Sequence, residues 1–262
     1  MSRQQRLAAL LDLVVERTSL TIDELIAELG VSPATIRRDV DYLATQKLLT
    51  RTRGVVMQNP TSSEAPMRFR TVRNNKQKIG IAKKAADLVH PGAVIALNGG
   101  TTTTAISAEL ISKVTKDFSF SHRPLTVVTN AVNIANDLIV HPQVRVVLTG
   151  GVARARSYEL VGPLAALIFS HINVDAVFLG AVGITPTGGV FTDNESEAEV
   201  NRALVAVSER VYVVIDSSKI GVAAFARICG SDSIYGVITD EHIDSDMRAA
   251  FEERGIKVII GA

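Results

Sequence analysis

Cysteine is nearly missing from this chain. The 262 residues hold one, Cys229, which leaves no intrachain disulfide framework and no multi-cysteine metal site. It reads most simply as a small core residue. No run of 18 or more apolar residues occurs, so no transmembrane span is expected. The opening MSRQQRLAALLDLVVERTS is an amphipathic helix broken by charges, not a secretory leader, and the cytoplasm is the expected compartment. No Ser-His-Asp spacing, Walker loop or HExxH is present. The five histidines are scattered at 90, 122, 141, 171 and 242. No catalytic set, metal site or cofactor is therefore expected.

Net charge is also scarce, at +1, but its distribution is uneven. Residues 1–90 carry 15 Lys/Arg against 9 Asp/Glu, and residues 91–262 carry 13 against 18. A basic front on an acidic rear suits a polyanion-binding arm on a folded body. With 47% apolar residues, the chain can bury a sizeable core and is long enough for two domains.

The front is organised around Thr21 to Tyr42. Leu7, Leu10, Leu11, Val14 and Val15 share a face of a first helix over Arg3 to Arg17. A second helix spans Ser19 to Gly30, with Thr21 and Glu24 spaced as a capping box and Gly30 as its left-handed stop. Ser32-Pro33 opens a third helix reaching Gln46, with a capping hydroxyl followed by proline at the first helical position. Ile36, Val40 and Leu43 form its buried stripe, leaving Arg37, Arg38 and Asp41 outward. Leu48 to Val56 reads as a strand, a turn at Gly54 and a return strand. Three helices and a basic hairpin make a winged helix-turn-helix over residues 1–57. The Pro- and Ser-bearing stretch 58–75 is a linker.

From residue 76 the pattern changes. A helix over Lys76 to Val89 precedes short apolar runs that alternate with helices. The runs are AVIAL (93–97), LTVVT (125–129), VRVVLTG (144–150), DAVFLGA (175–181), VYVVID (211–216), SIYGVITD (233–240) and KVIIG (257–261). Helices are expected through Leu110, from Asn130 to Val140, through Ser170, and from Glu195 to Ser208. Lys113 to Arg123 is expected as a surface loop. Continuous β-branched runs between helices indicate a Rossmann-like parallel sheet covered on both faces. The fold class is thus α/β, with a winged helix-turn-helix joined to a parallel-sheet domain over 76–262.

Ligands of such sheets bind beyond the carboxyl ends of the strands, and those ends are unusually polar here. The first is Asn98-Gly99-Gly100-Thr101-Thr102-Thr103, the second Thr129-Asn130, the third Thr149-Gly150-Gly151. The glycines let N–H groups converge, and the threonines lie at a helix N-terminus, where the dipole favours an anion. Alone, the first segment reads equally as a glycine turn with a threonine cap; three such ends in succession favour a pocket. Gly180 to Gly183 and the loop Gly188 to Glu195 continue the series. There Asp193 and Glu195 either stabilise a helix start or hold sugar hydroxyls. Lys219, after the strand 211–216, either reaches an anion or is simply solvated.

The motif LGVSPATIRRDVDYLATQKLLTRTRGVV (29–56) resembles the N-terminal signature of the DeoR family of bacterial transcription regulators. LNGGTTTTAI, VVTNAVNIA, LTGG, LVGP, FLGAVGI and VIDSSKIG resemble its effector domain, in the same order. The resemblance implies a body similar in fold to ribose-5-phosphate isomerase, and a regulator, usually a repressor, of a sugar or polyol catabolic operon. It also implies double-stranded operator DNA, a phosphorylated sugar or polyol effector and a second copy of the chain (dimer or tetramer) as partners, with no membrane. Two family features differ: Gly54 is followed by Val55 rather than a second glycine, and Asn98 stands where Asp is frequent. Against the isomerases, the Asp-rich loop is replaced by Gly180-Ala181-Val182-Gly183, and the helix carboxylate falls at about Asn201.

On this reading Ser32 to Leu43 enters the major groove. Ser32, Pro33, Ala34, Thr35, Arg37 and Arg38 lie against DNA, with Thr21, Arg51 and Arg53 around them and Arg3 nearby. The effector's phosphate sits on Gly99, Gly100, Thr101, Thr102 and Thr103, facing Lys219. Its hydroxyls meet Thr129, Asn130, Asp193 or Glu195, and Asn98, Gly150, Gly151 and Gly183 complete the effector site. A rival reading is a sugar-phosphate isomerase carrying an accessory DNA-binding domain, and an activator is a further alternative.

Overall fold

Thr21 sets where the head's second helix begins. In the computed structural model, which describes residues 3–17, 19–46, 48–52, 54–58 and 74–261, Thr21 is extended at φ −78° and ψ 159°. It completes the capping box: the Glu24 amide donates to its hydroxyl at 3.2 Å, while its own amide donates to the Glu24 carboxylate at 2.7 Å. The extended cap starts this helix after Thr21, and the residues before it pair with Val55–Met57. Ser19–Thr21 is therefore a strand (β1) and not the first turn expected there, and the helix is Ile22–Leu29. Gly30 ends it in the left-handed region, at φ 63°. The third helix is Pro33–Thr45, capped by Ser32.

The hairpin strands are β2 (Leu49–Thr52) and β3 (Val55–Gln58), and β1 adds to β3 to give the order β1-β3-β2. Gly54 turns the hairpin at φ +84° and accepts a hydrogen bond from the Ile22 amide at 3.2 Å. Leu10, Val14, Leu25, Ile36, Val40, Leu43 and Val56 form the core of this unit, all at 0% exposure. Asp39 is buried among them, and Arg6 from the helix Arg3–Arg17 donates to it at 2.5 Å. Residues 59–73, Arg53 and the Val15 side chain lie outside the described residues.

The chain divides into two units, Met1–Asn75 and Lys76–Ala262. The second is built on seven strands: β4 (Val94–Leu97), β5 (Leu125–Thr129), β6 (Val144–Leu148), β9 (Val174–Leu179), β12 (Ser208–Val214), β14 (Gly236–Thr239) and β15 (Lys257–Ile260). All pairings are parallel, in the order β15-β14-β12-β9-β4-β5-β6. Strand alternation separates two cores. Ile95, Leu97, Phe178, Tyr212 and Val214 join Ile81, Ile106 and Leu110 on one face. Ala96, Val177, Leu179, Val211 and Val213 join Ala198, Leu204 and Phe251 on the other.

Five short strands complete the described part of the body. They are the hairpin β7 (Val152–Ala153) and β8 (Leu160–Val161) and the sheet of β10 (Gly183–Thr185), β11 (Gly189–Thr192) and β13 (Ala226–Cys229), and β10 and β11 occupy the glycine-rich stretch that reads as a loop from composition. The helix after β4 runs over Thr101–Lys116, past the expected end at Leu110, and a further turn covers Ser119–His122. Lys113 explains why this polar stretch is ordered. Its ammonium donates to the Ala86 and Val89 carbonyls at 2.7 and 2.6 Å, closing the end of the helix Asn75–Asp87, and Phe120 is fully buried beneath. The helix after β5 is Val132–Leu138, two residues inside the expected boundary at each end, because Asn130 and Ala131 stay extended to bond the 158–160 segment.

Replacing Asp39 by Ala should cost the first unit about 2 kcal/mol, the range for a hydrogen bond to a charged group. Urea unfolding followed by circular dichroism should show its transition moving to lower denaturant.

Candidate functional site

Register places the strand ends in one row. Leu97 of β4 lies beside Phe178 of β9 and Thr129 of β5, and Thr129 beside Leu148 of β6. From β4 the chain crosses one face of the sheet to β5; from β9 it crosses the other face to β12. The crevice between β4 and β9 is therefore the topological switch point, where open α/β sheets bind ligands.

Asn98 occupies this point. It is 2% exposed, its amide nitrogen donates to the Gly180 carbonyl at 2.9 Å, and its oxygen accepts from the Gly180 amide at 2.8 Å. The side chain thus continues the ladder between two strands that have already ended. This residue, expected to meet the effector, spends its hydrogen bonds on the fold.

Gly99 follows. Its amide donates to Glu159 Oε1 at 3.0 Å, and a Cβ here would lie 2.1 Å from Glu159 Cγ. A side-chain contact, not backbone conformation, demands glycine. The helix Thr101–Lys116 has no side-chain cap at its start. Instead the Thr103 and Thr104 hydroxyls donate to the Gly100 carbonyl at 3.0 and 2.7 Å. The Thr103 and Thr104 hydroxyls are thus turned back on the main chain, while the first amides of the helix are oriented toward an anion as at any helix start.

Glu159 is the residue that the sequence did not flag. It is 3% exposed, and its Oε1 also accepts from Asn130 Nδ2 at 3.4 Å, so one carboxyl joins the first two strand ends. Burial, and then the charge of Glu197, push it up to about 8 against the amides of Gly99 and Asn130. Glu197 itself accepts from the Thr192 hydroxyl at 3.2 Å and pairs with Arg154 at 3.2 Å. A charged residue directly before the apolar pair Leu160-Val161 was the available signal. Nearby, Asn130 Oδ1, Asn133 Oδ1 and Thr149 Oγ1 are buried without a hydrogen-bond partner, the state that a polar ligand relieves.

Other expected residues fall as follows. Thr129 accepts from the Ala131 amide at 3.0 Å. Gly151 lies against Val161, whose carbonyl would be 2.7 Å from a Cβ, and Gly150 lies against Leu164. Gly183 touches Val222 so closely that a Cβ would sit 2.2 Å from its carbonyl oxygen, which is a strand-packing role. Asp193 and Glu195 are exposed on either side of the cap Asn194, whose side chain accepts from the Glu197 amide at 3.1 Å. The Lys219 ammonium donates to the Ala181 carbonyl at 3.3 Å and stands 3.8 Å from Asp216. It is thus one residue from the Gly180 partner of Asn98.

In the first unit, Ser32, Pro33, Ala34, Arg37 and Arg38 are exposed, and Thr35 is half-buried. Ser32 Oγ lies 2.9 Å from Thr35 Oγ1, holding the helix start. Arg51 pairs with Asp41 at 3.2 Å, tying the wing to this helix. Arg3 lies over the Tyr42 ring at 4.8 Å, a packing contact. The Thr21 hydroxyl is committed to its cap.

Residues 6–61 match the model of the DeoR-like helix-turn-helix domain, and residues 73–241 match that of the DeoR C terminal sensor domain. The glycerol-3-phosphate regulon repressor of Escherichia coli (strain K12) is 30% identical over 92% of this chain and 92% of its own length. The L-fucose operon activator of Haemophilus influenzae is 29% identical over 96% and 93%. Among solved structures, ribose 5-phosphate isomerase A from Methanocaldococcus jannaschii aligns over 56% of this chain and 55% of its own at 18% identity and a TM-score of 0.42.

Two outcomes test this geometry. Asn98→Ala removes both links to Gly180 and should lower the body's stability by about 2 kcal/mol, at roughly 1 per buried hydrogen bond. The Glu159 carboxyl titrates near 4.5 when unfolded and about 8 when folded. Between these values the folded state holds the extra proton, so stability falls as pH rises through the window. Glu159→Gln should flatten that slope in thermal unfolding from pH 5 to 8.

Proposed function

Because the chain belongs to the DeoR family of transcriptional regulators, we propose that it represses a sugar or polyol catabolic operon and leaves its operator when a phosphorylated sugar binds the body. The carrying observation is the switch point. An uncapped helix start after β4, buried polar atoms without partners after β5 and β6, and the Lys219 ammonium after β12 share one edge of the sheet.

The helix Pro33–Thr45 enters the major groove from its N-terminal end, the docking of helix-turn-helix proteins. Pro33, Ala34 and Thr35 meet base edges, while Arg37 and Arg38 meet bases or phosphates. Arg51 and Arg53 of the wing meet the backbone. In the body, amides of the Gly100–Thr103 turn hold the phosphate beside Lys219. Asn130, Asn133 and Thr149 take the hydroxyls. Gly150 and Gly151 shape the neighbouring wall, and Asp193 and Glu195 lie at the rim.

The protein acts as a binding domain on an enzyme-like scaffold. An enediol shift needs a positioned carboxylate base, and the two positions where the resemblance to isomerases puts one hold Gly180-Ala181-Val182-Gly183 and, on the helix Glu195–Ala206, Asn201. Incubation with ribose 5-phosphate should give no ketose, whereas measurable turnover would restore the isomerase reading.

Arg38→Ala should reduce the slope of log affinity against log salt by about 1, measured by fluorescence anisotropy on a promoter fragment. Lys219→Ala should leave DNA binding alone unchanged. It should raise the effector concentration needed for release by roughly tenfold or more, the cost of one charge-assisted hydrogen bond. Release at the wild-type concentration would remove Lys219 from the site. Thermal-shift screening against sugar and polyol phosphates identifies the effector.

A further inference from the structure

Glu159 is a carboxyl placed on an amide of the turn that should receive an anion. Its Oε1 accepts from the Gly99 amide at 3.0 Å and from Asn130 at 3.4 Å. Its stem lies flat over Gly99, where no other residue leaves room for it. Its backbone is fixed on both sides. The Leu160 amide donates to Asn130 at 2.7 Å, and the Arg154 amide donates to the Glu159 carbonyl at 2.9 Å. The carboxyl is therefore part of the pocket floor. An ionised acid there would stand beside a bound phosphate with little water between them, and like charges at that range repel strongly.

We propose that Glu159 determines the pocket's affinity for anions: it admits a tetrahedral anion only while its carboxyl carries a proton, so anion binding and protonation of Glu159 occur together. This inference rests on the reading of the switch point as a phosphate site. The charged groups facing Glu159 are few. Glu197 approaches from the helix Glu195–Ala206, paired with Arg154 from the turn between β7 and β8, while the strand ends at Gly99 and Asn130 contribute only uncharged donors. Glu197 favours the protonated acid, as does burial. Both push Glu159 toward the neutral acid, which can donate from the oxygen not used by Gly99. Its ionisation ejects the anion. The ligand class follows: phosphate monoesters and other compact dianions, bound best on the acid side of neutrality.

Sulfate and inorganic phosphate are the probes, since sulfate keeps its charge of −2 across the working range and any pH effect then belongs to the protein. Isothermal titration of the full chain with sulfate from pH 6 to 9.5 should show affinity falling toward tenfold per pH unit on the alkaline side. Glu159→Gln, which keeps an uncharged donor and acceptor, should bind sulfate as the wild type does at pH 6 and hold that affinity through the range. Glu197→Gln leaves Glu159 in place but removes a neighbouring negative charge, and should shift the fall to lower pH. Parallel pH profiles for wild type and Glu159→Gln would overturn the proposal, as would loss of sulfate binding by Glu159→Gln at pH 6. If the wild type binds neither sulfate nor phosphate at any pH, the phosphate-site reading itself fails.

Discussion

Between β4 and β9 the sheet reverses its winding, and a cleft opens because successive crossovers leave on opposite faces. One amide side chain bridges that cleft. Asn98 donates to and accepts from Gly180, with both atoms buried. Several features of the candidate site follow directly from this bridge along the chain. The Gly99 amide follows Asn98, the uncapped helix start follows Gly99, and the Ala181 carbonyl that takes Lys219 follows Gly180. An aspartate at position 98 could accept from the Gly180 amide but, when ionised, could not donate to its carbonyl. The amide joins the strands in both directions without adding a charge to the proposed effector site.

The framework was legible because it rests on periodicity and caps. Thr21 with Glu24, Gly30, and Ser32 with Pro33 each carry a local physical reason for a helix to start or stop, and the structure places the caps there. The β-branched runs gave the parallel sheet, since buried strands need no alternation. Elements held by distant partners were not legible. Ser19–Thr21 becomes a strand only because Val55–Met57 lies beside it. Gly189–Thr192 becomes one because Ala226–Cys229 does. The stretch 113–123 looked like loop because the value of Lys113 lies in carbonyls more than 20 residues away.

The candidate site shows the same division. Its location follows from topology, but the role of each residue depends on which atoms are already engaged. Glycines that look alike in sequence do different things: Gly99 makes room for a carboxyl, Gly151 and Gly183 for main chain. Thr103 and Thr104 turn their hydroxyls back on Gly100, and Glu159 arrives from a hairpin 60 positions downstream. No spacing rule connects Gly99 to Glu159.

A ligand in one unit can change DNA binding by the other only through a difference in its affinity for two states of the protein. Carrying a regulator from almost wholly bound to almost wholly released requires a difference of about 10⁴-fold, roughly 5.5 kcal/mol. A lysine–phosphate contact of the kind proposed for Lys219 is worth about 1.5–3 kcal/mol, so it is insufficient alone, and the remainder must come from other contacts that differ between the two states. Asn130 Oδ1, Asn133 Oδ1 and Thr149 Oγ1 are buried and unsatisfied, and each gains about 1–3 kcal/mol if a ligand hydroxyl satisfies it. Such contacts count toward that difference only where they form in the released state and not in the DNA-bound one, so a ligand with several hydroxyls has more contacts that can differ between the states than phosphate alone. A phosphate by itself should bind this cleft yet fall short of full release.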